Sequence, residues 1–167
     1  NDGNRQVELT VTSVGVSEIP LERRGYGYAI DRRYYTLSGE LTTLQSVPMG
    51  TRLVTVIDVT PFQKSGARLM INDPLPAGME IDNPNLLRSG DIRELSWLKT
   101  AHVEHSEFRS DRFLAAVDWR SDKPFQLAYI VRAVSPGNYH HPAASVEDMY
   151  RPQYRANTTV ERMSVVE

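Results

Sequence analysis

The order of apolar and polar residues reads as strands and turns. Val7, Leu9 and Val11 alternate with Glu8, Thr10 and Thr12, which predicts a half-buried strand. The phase slips near Ser13 and resumes at Val14 and Val16, which predicts a bulge or bend. Tyr26, Tyr28 and Ile30 alternate after Gly25, and Ser38-Gly39 and Pro48-Met49-Gly50 read as turns. Leu53 to Val59 is apolar or β-branched on both faces, as a central strand would be. Ala67 to Ile71 reads as its neighbour, and the proline-bearing run Asn72 to Gly78 is expected to end it. Phe113, Ala115, Val117 and Trp119 mark another strand. Ser121-Asp122-Lys123 reads as a tight hairpin turn, with Phe125, Leu127, Tyr129, Val131 and Ala133 on the returning strand. Asn138 to Ala156 is polar and proline-rich, and Thr158 to Val166 reads as a last strand with Val160 and Val165 as its apolar points.

Residues 79–111 are the least regular. Asp82-Asn83-Pro84-Asn85 and Ser89-Gly90-Asp91 are turn clusters, and a short helix is expected near Asp91–Leu98, capped by Asp91 with Glu94 three residues on. Seven or eight short strands at hairpin-like spacing predict an all-β fold, an antiparallel β-sandwich of immunoglobulin-like architecture with a short helix and a long loop. The β-branched load (16 Val, 7 Ile, 11 Thr) agrees. No repeat or linker interrupts the 167 residues, so a single domain over 1–167 is expected.

Composition mainly excludes. Nineteen basic against 21 acidic residues leave a net charge of −2, too little positive charge for a general nucleic-acid binder. No cysteine is present, which removes disulfides, thiolate metal sites and cysteine nucleophiles together. No apolar run is long enough for a transmembrane helix or a signal-peptide core. Arginine outnumbers lysine 16 to 3, which suits fixed carboxylate pairs. The first residue is Asn1, so the chain reads as a piece of something longer that need not carry a reactive site of its own.

Candidate chemistry is sparse. His102-Val103-Glu104-His105 can be drawn as a metal site, but it lies beside a predicted strand and lacks the zinc-protease helix spacing. His140 and His141 are neighbours in an extended segment, where their rings point to opposite sides. Gly25-Tyr26-Gly27-Tyr28 has two glycines but no following helix to present a phosphate, so it reads as a turn into an aromatic strand. Glu104, Glu107, Asp111 and Asp118 are numerous, yet nothing selects two of them for acid–base work. Asn157-Thr158-Thr159 matches a glycosylation acceptor, a tripeptide common by chance. No catalytic residues, metal or cofactor are expected.

Ala143 to Arg155 stands apart as a long loop flanked by Pro136, Pro142 and Pro152. It carries Met149, Tyr150 and Tyr154, with acids and bases beside them. Two readings stay open: an exposed interaction surface, or aromatics folded back into the core.

Four segments together resemble a known family. They are Tyr26 to Tyr35, Asp73 to Leu86, Tyr129 to Gly137 and Val146 to Pro152, in order over residues 25 to 155. They are similar to the C-terminal macroglobulin-like domain of bacterial alpha-2-macroglobulins. The resemblance implies a non-enzymatic domain of a pan-proteinase inhibitor of the bacterial envelope. The parent would be periplasmic, as a membrane-anchored lipoprotein, and the isolated domain monomeric. In such proteins a proteinase cleaves a bait region, and the body then changes shape and traps it. The partners implied are the thioester domain and other macroglobulin domains of the same polypeptide, and through the parent the trapped proteinases. The thioester needs a cysteine and therefore lies elsewhere. The family's Met-Tyr loop shields it from water and small nucleophiles, and the matching residues are Met149 and Tyr150, with Glu147, Asp148, Arg151 and Pro152 around them. His140-His141 stands where the family would place a more apolar pair. Two readings of other classes stand beside this one: an envelope adhesion or glycan-binding β-sandwich stacking sugars on exposed tyrosines, and a small metal-dependent hydrolase built on His102 and His105.

Overall fold

The computed structural model describes residues 8, 10–14, 22–63, 66–82, 98 and 100–167. Fourteen strands and no helix occur among them, arranged in three sheets. The first sheet runs β1 (Arg24–Tyr26), β13 (Arg155–Asn157), β12 (Ser145–Asp148), β6 (Ala67–Pro74), β9 (Arg112–Trp119) and β8 (His105–Phe108). The second runs β3 (Leu41–Thr42), β2 (Tyr28–Thr36), β5 (Arg52–Pro61), β10 (Phe125–Ala133) and β7 (Met79–Ile81). The third is small: β11 (Gly137–His141), β14 (Glu161–Val166) and β4 (Val47–Pro48). Strands pair antiparallel except β14 with β4, where Val165 lies opposite Val47 in a parallel ladder.

The two large sheets bury their facing sides against each other. Leu69, Ile71, Phe113, Ala115 and Val117 of the first meet Ile30, Ile57, Val59, Leu127 and Tyr129 of the second in one core. The alternation written along β9 and β10 is the alternation observed, with every second residue buried. β5 sits between β2 and β10 and is buried on both faces, as its unbroken apolar run predicts. Leu53 and Ile57 enter the main core, while Val54 and Val56 join Tyr35 and Ile130 in a second cluster on the outer side.

Several expectations are corrected. β9 and β10 are not a hairpin. They lie in different sheets, so Ser121-Asp122-Lys123 is a crossover between layers. Its short reach is held by Trp119 Nε1, which donates to the Lys123 carbonyl at 3.0 Å. Nor is β6 the neighbour of β5; it pairs with β12 and β9 in the opposite sheet. Tyr26 and Tyr28 do not share a face, because the chain changes sheets at Gly27. That glycine has φ +79, and an added Cβ would run into the Tyr154 ring, so no other residue fits there without displacement. β6 runs on to Pro74, which the ladder tolerates as its terminal residue. The polar stretch Asn138 to Ala156 is about half strand: most of β11, all of β12 and the start of β13 fall in it, because its valine, alanine and buried histidine find ladder partners. In the last strand Met163 and Val165 are the buried points, and Val160 precedes it. Residues 10–14 form no strand, and Val11 and Val14 are exposed; alternation buries a residue only where a partner strand covers it. Val7, Leu9 and Val16 lie outside the described residues, as does the expected helix apart from Leu98.

A polar group of five side chains crosses the layers inside the core. Arg32 of β2 donates from Nη1 to Asp73 Oδ1 of β6 at 2.6 Å, with side chains only 3% and 1% exposed. Arg32 Nη2 also donates to the Pro142 carbonyl, and the Tyr129 hydroxyl donates to Asp73 Oδ2 at 2.5 Å. Burial raises the Asp73 carboxyl above the ordinary range, and Arg32 and the Tyr129 hydroxyl pull it back. Nearby, the Tyr34 hydroxyl and His141 Nε2 share a hydrogen bond of 3.0 Å. His141 is fully buried while His140 is exposed, as opposite faces of one strand require. The pair at these positions is thus half apolar in effect: His141 fills a core site and satisfies one polar atom there.

Candidate functional site

The Met-Tyr segment is the tip of the β12–β13 hairpin, residues 149–154. Both strands are anchored. Val146 and Ala156 are buried opposite each other, and Val146 faces Ile71 of β6 on its other side. The anchored ladder then projects a six-residue tip with Met149 50% and Tyr150 74% exposed. Of the two readings left open above, the aromatics divide. Tyr150 stands in solvent, and Tyr154 returns to pack against the core.

Asp148 shapes the tip. Period two turns its side chain inward, where it is 1% exposed. Its Oδ1 accepts from the backbone N–H of Tyr150 at 3.0 Å and of Arg151 at 3.2 Å. Its Oδ2 accepts from Arg151 Nε at 2.7 Å and pairs with Nη2 at 2.7 Å. One carboxylate therefore satisfies two turn N–H groups and a guanidinium fork. Main-chain bonds close the same turn: Arg151 N to Asp148 O at 3.2 Å and Tyr154 N to Arg151 O at 2.8 Å. Arg151 Nη2 reaches across to the Gly66 carbonyl at 3.2 Å, and Met149 N donates to the Arg68 carbonyl at 2.8 Å. These two bonds fix the tip to the chain entering β6.

An aromatic stack supports the other side. The Arg151 guanidinium carbon lies 5.2 Å from the centre of the Tyr154 ring, and Tyr26 packs on Tyr154 with centroids 5.1 Å apart. Tyr28 is buried beneath; burial first, then the Asp148 carboxylate, push its hydroxyl pKa up. Pro152 is exposed at the turn, where its ring fixes φ after Arg151.

The structure thus brings Asp148, Met149, Tyr150, Arg151 and Pro152 together and separates Glu147. Glu147 points outward from β12, opposite Arg155, on the sheet's outer face. Sequence reasoning missed Gly66, Arg68, Tyr26 and Gly27 as supports of the tip. Only the Gly25-Tyr26-Gly27 spacing signalled any of them. The resemblance places Asp148 only beside the Met-Tyr pair, and the structure buries its side chain.

The other candidates do not assemble. His105 lies exposed on β8 with Nε2 3.4 Å from Glu107, and His102 lies outside any strand. Among the described residues no three His, Asp or Glu side chains are grouped to hold a metal. Asn157 donates to the carbonyls of Glu22 and Thr158, and the Thr158 hydroxyl is buried as the acceptor of Ala144 N–H. That tripeptide is structural.

Comparison with known proteins follows the same segments. The family described as Bacterial Alpha-2-macroglobulin MG10 domain matches residues 27–153. The alpha-2-macroglobulin of Escherichia coli strain K12 is 34% identical over 176 residues, covering 99% of this chain and 10% of that protein. A crystal structure of Salmonella alpha-2-macroglobulin reacted with methylamine superposes with a TM-score of 0.81 at 31% identity, over 92% of this chain and 10% of that one. The trypsin-activated Escherichia coli protein gives 0.78 at 32% identity, over 88% of this chain and 11% of that one. The chain spans about a tenth of the length of these relatives.

Proposed function

The chain belongs to the bacterial alpha-2-macroglobulin MG10 domain family, and on that premise we propose that it is a non-catalytic lid within a proteinase-trapping protein of the bacterial envelope. In this reading the domain packs on the thioester domain of its own polypeptide, and Met149 and Tyr150 cover the thioester until a proteinase cleaves the bait region. The parent is a periplasmic, membrane-anchored lipoprotein, and its partners beyond its own domains are the proteinases it traps.

The observation that carries this reading is the exposed Met149-Tyr150 pair on a tip whose every fold-back is tied by Asp148 and Arg151. A thioester persists only where water and amines cannot reach its carbonyl. A phenol ring and a thioether cover such a centre and offer no nucleophile at neutral pH. A tip already held in one conformation loses little entropy on docking. Interdomain contacts of this kind are modest in size and open when the body rearranges. Two related proteins are known in methylamine-reacted and trypsin-activated states, which are the two events a lid would gate.

The test is where Tyr150 sits in the whole protein. A photo-crosslinking phenylalanine analogue placed at position 150 of the full polypeptide should crosslink to the thioester domain, and the crosslink should vanish after proteinase treatment. A crosslink to another domain, or one unchanged by cleavage, would overturn the reading.

A further inference from the structure

Beside Tyr150 lies an open groove of roughly 440 Å³ lined by arginines. It runs between the hairpin tip and the exposed ends of β6 and β9. Three guanidinium groups face it, from Arg68, Arg120 and Arg151, against the carboxylates of Asp118 and Asp148. The carboxylates are already engaged: Asp148 by Arg151 at 2.7 Å and Asp118 by Arg120 at 2.9 Å. Asp148 is buried, so it presents no charge to a visitor. Arg120, and less strongly Arg68, hold the Asp118 carboxyl below its ordinary range. Arg68, exposed on β6, lies across the ladder from Asp118 and makes no close ion pair among the described residues, since Arg120 takes that carboxylate. Its own carbonyl accepts from Met149 N–H, so its place relative to the tip is fixed.

We propose that the tip docks as a two-part key: Tyr150 enters an apolar socket on the neighbouring domain, and Arg68 meets a carboxylate on that socket's rim. The proposal rests on the lid reading and adds the chemistry of the surface that receives it. An aromatic anchor gives affinity, and a rim charge beside it gives register and excludes wrong contacts. The partner surface is therefore acid-rimmed around an apolar centre, and the contact weakens with salt.

The full-length protein carrying Arg68→Glu, Arg68→Lys, Arg132→Glu or Tyr150→Ala is treated with methylamine, and the inactivation rate is followed at low salt and at about 0.5 M salt. Arg132 is exposed on β10 in the other large sheet and serves as the charge-matched control. Arg68→Glu is expected to inactivate roughly fivefold faster than wild type at low salt, as loss of a rim ion pair allows. The difference should close at high salt, and Arg68→Lys and Arg132→Glu should stay near wild type. If Tyr150→Ala accelerates inactivation while Arg68→Glu does not, the rim carboxylate is wrong and the lid stands. If Arg132→Glu matches Arg68→Glu, the effect is one of net charge and the proposal falls. If Tyr150→Ala changes nothing, the lid reading falls and this proposal with it.

Discussion

The Asp148 carboxylate holds Arg151 by two contacts of 2.7 Å while accepting the backbone N–H groups of Tyr150 and Arg151. A side chain 1% exposed thus sets the shape of a tip whose neighbour Tyr150 is 74% exposed. Rigidity and exposure are separated between residues two positions apart, which is what a docking element requires.

Stability should follow that division. Asp148→Ala leaves two turn N–H groups and a guanidinium without their acceptor, and should cost about 2–3 kcal/mol. Tyr150→Ala removes only solvated surface and should stay within about 0.5 kcal/mol of wild type. Urea unfolding of the 167-residue chain checks both, and equal losses would contradict the division.

The Arg32–Asp73 pair makes a sharper demand. Asp73→Ala strands a buried guanidinium and should cost about 3–5 kcal/mol, whereas the double change Arg32→Met with Asp73→Leu should cost markedly less. A double-mutant cycle in urea reads the difference.

His141 gives a pH dependence. Burial, with Arg32 and then His140 adding to it, lowers its pKa to about 2. The exposed Glu161 carboxylate, 3.7 Å from Nδ1, does not offset this. The unfolded imidazole takes its proton near 6.5 and the folded one does not until about pH 2, so protons favour the unfolded chain between them. The contribution is complete above about pH 6.5 and is lost as pH falls. Between pH 7 and 5 the wild type should lose about 2 kcal/mol more than His141→Gln, measured by urea unfolding at each pH. Parallel losses would place the titration elsewhere.

Much of this was legible from the residues because each central strand writes its own burial. Phe113 to Val117 and Phe125 to Ala133 alternate in the chain as they do in the core. Sheet membership was not legible. Five residues, 120–124, between β9 and β10 suit a hairpin as well as a crossover, and only the packing of Trp119 and the partners of β6 decide. The tip motif was legible as Met149-Tyr150, and the resemblance carried it. Its supports were not: Arg68 and Gly66 lie more than eighty residues away in the chain, and no local pattern marks them as neighbours. The burial of Asp148 was not legible either, because a carboxylate in a polar run gives no sign of the strand phase that turns it inward.

The central claim is that Tyr150 shields a reactive centre it does not contain. The most direct test is the rate at which methylamine inactivates the full-length protein with Tyr150→Ala against wild type. Removing a well-packed aromatic anchor costs an interface about 2 kcal/mol, so inactivation should quicken by roughly tenfold or more. A rate equal to wild type, in a protein that still reacts with methylamine, would contradict the account.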